Sequence, residues 1–129
     1  GSCLCSTIGT LAPISSQSRP DGSPMSAQTA IAILDSMFDL FKQMGSGIAL
    51  DLHWLEICRR LRRVRAEALW SADLDLVATK LKAQAGHYAM TYRPPGDSDW
   101  IRQSNAERLD EVVTYYSILR AHLEQQLPP

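Results

Sequence analysis

The chain has 129 residues, of which 45% are hydrophobic and 21% charged, values that are ordinary for one globular domain. Its 13 Lys and Arg residues balance 14 Asp and Glu residues, and the net charge of −1 excludes a strongly basic nucleic-acid-binding chain. No apolar run approaches the ~18 residues of a membrane helix, so we expect no membrane association. No secretory leader pattern occurs, and the three cysteines fit a disulfide framework poorly. We therefore expect a cytoplasmic protein.

The first 24 residues have the composition of a flexible tail. Neither a strand period nor a helix period is present, and three prolines stand among Ser, Thr and Gly residues: Pro13, Pro20 and Pro24. The opening Gly1-Ser2 pair is typical of a cloning remnant. We therefore expect a flexible tail over 1–24 and one helical domain over 25–129.

The first predicted helix follows the tail and ends at the Gly45-Ser46-Gly47 segment, because glycine supplies the left-handed residue past a helix C-terminus. Its apolar residues recur at steps of three and four: Ala27, Ala30, Leu34, Met37, Phe41 and Met44. Further apolar residues widen this stripe to about half of the helix surface: Ile31, Ile33, Phe38 and Leu40. A stripe of this width must contact more than one neighbour, which predicts a helix inside a bundle.

Two further helices are predicted over about 49–70 and from Ser71 to Gly86. The stripe of the second helix steps by four and three: Leu50, Trp54, Ile57, Leu61, Val64 and Ala68. The third begins at Ser71, a good N-cap, and Asp73 and Asp75 fall in its first turn, where the helix dipole favours negative charge. Its stripe is shorter and precedes Gly86, which we interpret as the helix stop: Leu74, Val77, Leu81 and Ala85.

The last predicted helix follows a loop over 92–97 that is rich in turn-forming residues. Ser104 and Glu107 match a capping box and predict a helix start there, although Ser98 is an alternative start. If the helix begins at Ser104, Glu107, Asp110 and Glu111 lie at its N-terminus, where they cap the helix and interact favourably with its dipole. The stripe continues through the chain's last apolar residues: Leu109, Val112, Tyr116, Leu119 and Leu123.

These patterns predict an all-α fold, an antiparallel bundle of about four helices with a flexible N-terminal tail. The expected core combines the most central apolar residues of each stripe: Leu34, Phe38, Phe41, Ile57, Leu61, Val77, Leu81, Val112, Tyr116 and Leu119. No strand is predicted.

Motifs that would indicate catalysis or cofactor binding are missing from the sequence. His53, His87 and His122 fall on different predicted elements, and no HExxH or Glu-x-x-His motif brings metal ligands together. Neither a phosphate-binding loop nor a GxSxG turn occurs. We therefore expect no metal, no cofactor and no enzymatic activity.

An arginine-rich segment departs from the average composition. Residues 59–65 hold five of the chain's 13 basic residues, and Arg59, Arg60, Arg62 and Arg63 spread over the helix side opposite the apolar stripe. Three interpretations stay open for this face. It could be a solvated surface, with Glu56 spaced to pair with arginine, it could bind an acidic protein partner, or it could bind nucleic-acid phosphates.

Three apolar residues distinguish this face from an ordinary charged surface. On the helical wheel Leu52, Leu55 and Trp70 all fall on the arginine side, away from the apolar stripe, and Trp and Arg together are typical of protein interfaces. The predicted partner-binding residues are therefore Leu52, Leu55, Arg59, Arg60, Arg62, Arg63 and Trp70. The leading hypothesis is a non-enzymatic helical interaction module, an adaptor, chaperone-like or regulatory subunit. The alternative is a nucleic-acid-associated regulator that uses the same arginines, and the sequence leaves a homo-oligomer open.

Overall fold

The computed structural model describes residues 24–128, so the predicted tail lies outside the described residues apart from Pro24. Five helices form in this range, in chain order α1 Pro24–Ser36, α2 Phe38–Gly45, α3 Leu50–Glu67, α4 Ala72–Thr91 and α5 Asp99–Glu124. No strand occurs among the residues that the structure describes. The predicted all-α class is confirmed.

The helices form an antiparallel bundle in which α1 and α2 together make one arm. Contacts join α1 to α3, α3 to α4, α4 to α5 and α5 back to α1 and α2. This order closes a four-sided arrangement in which α3 and α5 lie diagonally across from each other. Short connections between successive helices make each neighbouring pair antiparallel.

The single first helix of the prediction is interrupted at Met37, which separates α1 from α2. The Met37 N–H donates to the Leu34 carbonyl at 3.0 Å, a tighter turn than the α-helical pattern that resumes at Phe41. The Ser36 hydroxyl donates to the Ile33 carbonyl at 2.5 Å, a local bond that competes with regular helix geometry. The Ser36 carbonyl accepts instead from Arg60 Nη1 at 3.0 Å, which ties the break to α3.

The prediction that Gly86 ends a helix is wrong, because α4 continues to Thr91. Gly86 is buried inside the helix, and a Cβ built on it would lie 2.9 Å from Nε1 of Trp54. The Trp54 indole lies over this position and donates to the Lys82 carbonyl at 3.1 Å. Gly86 is therefore a close-packing site between α3 and α4.

The helix start predicted at Ser104 is also wrong, and the alternative at Ser98 is confirmed. Ser98 caps α5 by accepting from the Ile101 N–H at 3.4 Å. Ser104 lies inside the helix, where its hydroxyl accepts from Arg108 Nη1 at 2.6 Å. The buried Asn105 side chain binds both main-chain polar groups of Arg93, with 2.7 Å to the carbonyl, and so holds the confirmed 92–97 loop against α5.

Most of the predicted core is buried, including Leu34, Phe41, Ile57, Leu61, Leu81, Val112 and Leu119. Val77 and Tyr116 are half-buried and pack against this core. Phe38 is a correction, because 42% of its surface is exposed. The break at Met37 shifts the helical phase, and Phe38 covers the rings of Phe41 and Tyr116 from outside.

Candidate interaction surface

The solvent-facing side of α3 carries five of the predicted site residues, and we call it the α3 outer face: Leu52, Leu55, Arg59, Arg62 and Arg63. All five are exposed. Ile57, Leu61 and Val64 occupy the opposite side and are buried in the core, so the helical repeat directs the five outward. The apolar pair lies near the start of the helix and the guanidinium groups lie toward its end.

The two leucines are the most unusual feature of this face. Leu52 is 69% exposed and Leu55 is 55% exposed, and they lie one helical turn apart. Isolated exposed leucines are common on protein surfaces. Two adjacent ones beside arginines are a better match to the centre of an interface.

Arg60 differs from the other arginines of α3 in its contacts. It is half-buried, its Nε donates to Glu56 Oε2 at 2.7 Å, and its Nη1 donates to the carbonyl and hydroxyl oxygens of Ser36. Arg59 binds the other oxygen of the same carboxylate, with 3.0 Å from Nε. The hydrogen bonds from Arg59, which has the larger effect, and from Arg60 hold the pKa of Glu56 below its ordinary value. Arg60 thus serves the packing of α3 on α1.

Arg62 and Arg63 have no ion-pair partner within residues 24–128. By contrast, Arg65 lies 3.4 Å from Asp75. Helix α3 as a whole carries five arginines against Asp51, Glu56 and Glu67, a formal charge of +2. The end of the α3 outer face is therefore a positively charged surface with guanidinium groups free to bind a carboxylate or a phosphate.

Trp70 does not lie where the helical wheel placed it, and that prediction of its position is wrong. Helix α3 ends at Glu67 and Ala68 adopts an extended conformation, so residue 70 no longer follows the helical repeat. Trp70 is half-buried, and its Nε1 donates to Asp75 Oδ1 at 3.1 Å. It borders a small pocket of about 80 Å³ between α3 and α4, next to Arg62.

The same pocket is bordered by Cys58, Arg62 and Lys82. Burial raises the pKa of the Cys58 thiol, and the positive charges of Lys82 and Arg62 oppose this effect only in part. The thiol therefore stays neutral near pH 7 and is a poor nucleophile. The pocket adds a polar edge to the α3 outer face.

A second surface, outside the predicted set of partner-binding residues, lies on α5. Glu107, Asp110 and Glu111 are exposed there and belong to the middle of the helix, since α5 begins at Asp99. Their interpretation as N-terminal capping residues is wrong for this reason. The correct start at Ser98 would have revealed them as an acidic stripe. Helix α5 carries five acidic residues against three arginines, a formal charge of −2.

No family model, no curated protein and no solved structure matches this chain. Within the described residues, no three His, Cys, Asp or Glu side chains come together as metal ligands. No helix in that part of the chain is long and apolar enough to cross a membrane.

Proposed function

We propose that this protein is a non-enzymatic helical interaction module that binds an acidic protein partner through the α3 outer face. In this role it acts as an adaptor, chaperone-like or regulatory subunit. Leu52 and Leu55 provide the apolar centre of the contact. Arg62 and Arg63 provide charged groups that select carboxylates and orient the partner.

The single observation that carries this proposal is the exposed Leu52–Leu55 pair beside the two unpaired arginines. Burying both leucines against a partner removes apolar surface from water, which favours association by roughly 25 cal/mol per Å². Arg62 and Arg63 break no existing ion pair when a carboxylate approaches, because they form none within residues 24–128. Arg60 is excluded from the proposed contact, since its donors are bound to Glu56 and Ser36.

Nucleic acid is the alternative ligand for the same arginines. A phosphate-binding face needs positive charge along its length, whereas the start of this face is apolar and Glu56 neutralises part of its charge. The two exposed leucines have no role in phosphate binding. These features favour a protein over a nucleic acid.

The test is affinity capture from the source organism with the full chain as bait, in the presence and absence of nuclease. We expect the wild type to capture a protein partner, and the amount captured should be the same with and without nuclease. The variants Leu55→Ser and Arg62→Glu/Arg63→Glu should each reduce capture at least tenfold, and purified partner should then bind the wild type directly. The double variant Lys42→Glu/Lys80→Glu makes the same change in net charge on α2 and α4, and should bind normally.

Two results would contradict the proposal. Loss of the partner on nuclease treatment, with binding that falls steeply between 50 and 200 mM salt and ignores Leu55→Ser, would identify a nucleic-acid ligand. Capture that is unchanged in both α3 variants would show that the arginines are simply solvated. Circular dichroism of each variant, which should match the wild type, separates loss of binding from loss of fold.

A further inference from the structure

We propose that the α3 outer face binds the exposed side of α5 on a second copy of this chain. This inference rests on the proposed function and names the acidic partner. We call the acceptor the α5 outer face, and its members are Glu107, Asp110, Glu111, Thr114, Ser117, Ile118 and Ala121. All seven are exposed.

The α5 outer face has the charge that the α3 outer face requires. Asp110 and Glu111 make no ion pair within residues 24–128, as is true of Arg62 and Arg63. The formal charges of the two helices are opposite, −2 on α5 and +2 on α3. Bringing the two faces together would pair carboxylates and guanidinium groups that form no other ion pair within residues 24–128.

The order of charged and apolar residues matches in one direction only. Leu55 precedes Arg62 by seven residues, and Ile118 follows Glu111 by seven, each a distance of about 10.5 Å along a helix. In an antiparallel arrangement Arg62 lies opposite Glu111 and Arg63 opposite Asp110, while Leu55 lies beside Ile118. A parallel arrangement would instead place leucine against carboxylates. The sequence order thus selects the antiparallel contact.

The shapes of the two faces are also complementary. A shallow groove on α5 is lined by the small residues Thr114, Ser117 and Ala121 together with Asp110, Val113 and Ile118. The α3 outer face presents long side chains at helical spacing, which form a ridge. Packing a ridge of one helix into a groove of another is how helices approach closely.

The position of the two faces in the bundle determines the kind of assembly. Because α3 and α5 are diagonally opposed, one copy can use both faces at once with two different neighbours. Such head-to-tail contacts form rings or open chains instead of a closed pair. A single helix pair buries less than the ~1,200 Å² of stable complexes, so we expect weak, concentration-dependent association that salt reduces.

The experiment is sedimentation of the purified full chain under reducing conditions, from about 10 to 500 µM at low salt. We expect the mean mass to rise at least twofold over this range and to fall again in high salt. The variants Arg62→Glu/Arg63→Glu and Asp110→Arg/Glu111→Arg should each remain monomeric. Mixed in equal amounts, they should assemble again, because each retains the unmodified face that the other needs.

The matched control is Lys42→Glu/Lys80→Glu, whose two exposed lysines lie outside both faces and which should assemble like the wild type. A wild type that stays monomeric throughout would overturn the inference. Assembly that responds to the α3 variant but not to the α5 variant, or a mixture that stays monomeric, would overturn it as well. If a different captured partner still depends on Leu55 and Arg62, the proposed function stands and only the second-copy assignment fails.

Discussion

Replacing Gly86 by alanine should destabilise the protein, although the same change inside most helices is stabilising. Alanine at an ordinary helical position gains about 1 kcal/mol over glycine. At Gly86, however, the new Cβ would lie 2.9 Å from Nε1 and 3.1 Å from Cε2 of Trp54. These atoms belong to the rigid indole ring, so the ring itself must move.

The magnitude follows from the two effects that oppose the helix gain. Overpacking of this kind costs about 1–3 kcal/mol, and displacing the indole weakens its 3.1 Å bond to the Lys82 carbonyl, worth about 1 kcal/mol. Subtracting the gain of alanine leaves a net loss of about 1–3 kcal/mol in the free energy of unfolding. Urea denaturation followed by circular dichroism measures this value, without relying on the fluorescence of Trp54.

The background variant Trp54→Ala provides the matched control. With the indole removed, Gly86→Ala should no longer destabilise, and the helix gain of about 1 kcal/mol should become visible. A single Gly86→Ala variant that is as stable as the wild type, or more stable, would refute the close-packing explanation. Equal effects of Gly86→Ala in both backgrounds would refute the role given to Trp54.

Two further predictions concern the packing of α5. Asp35→Asn should cost about 1 kcal/mol at pH 7, because it removes the ion pair with Arg120 at 2.9 Å. The hydrogen bonds from Arg120 hold the pKa of Asp35 below its ordinary value of 3.8, so its contribution is present above that value and is lost as the pH falls through the lowered pKa. Urea titrations at several pH values should therefore show the two proteins converging in acid, and a constant difference would contradict this. In the same assay Leu119→Ala should lower the free energy of unfolding by about 2–5 kcal/mol, because Leu119 is fully buried. The neighbouring change Ile118→Ala should cost under about 1 kcal/mol, because Ile118 is 39% exposed. Similar losses at both positions would contradict the bundle packing.

The local period of the sequence is enough to predict the helices and most of the core. Leu34, Ile57, Leu81 and Leu119 recur at helical steps, and all of them are buried. The face of a helix on which a side chain lies depends only on how many residues separate it from the other residues of that helix. The same reasoning placed Leu52 and Leu55 outside, and the structure has both exposed. Such features need no knowledge of distant residues.

The helix boundaries required the tertiary structure, because distant contacts decided between locally similar signals. Ser98 and Ser104 are both good N-caps, and the bonds between Asn105 and Arg93 favour the helix that begins earlier. Trp70 does not occupy its predicted position on the helical wheel, because α3 ends at Glu67. A helical wheel fails wherever the helix ends sooner than the apolar pattern suggests.

The relation between the two outer faces was likewise beyond sequence reasoning. The sequence contains the arginines of α3 and the carboxylates of α5, but their distance along the chain says nothing about their placement. Only the packing of α1 and α4 between them places α3 and α5 on opposite sides of the bundle. Gly86 illustrates the same limit, since its local signal is that of a helix stop, and only the indole of Trp54, more than thirty residues earlier, makes it a packing site. Helical periodicity is encoded over a few residues, whereas close approach between helices depends on side chains that the fold alone brings together.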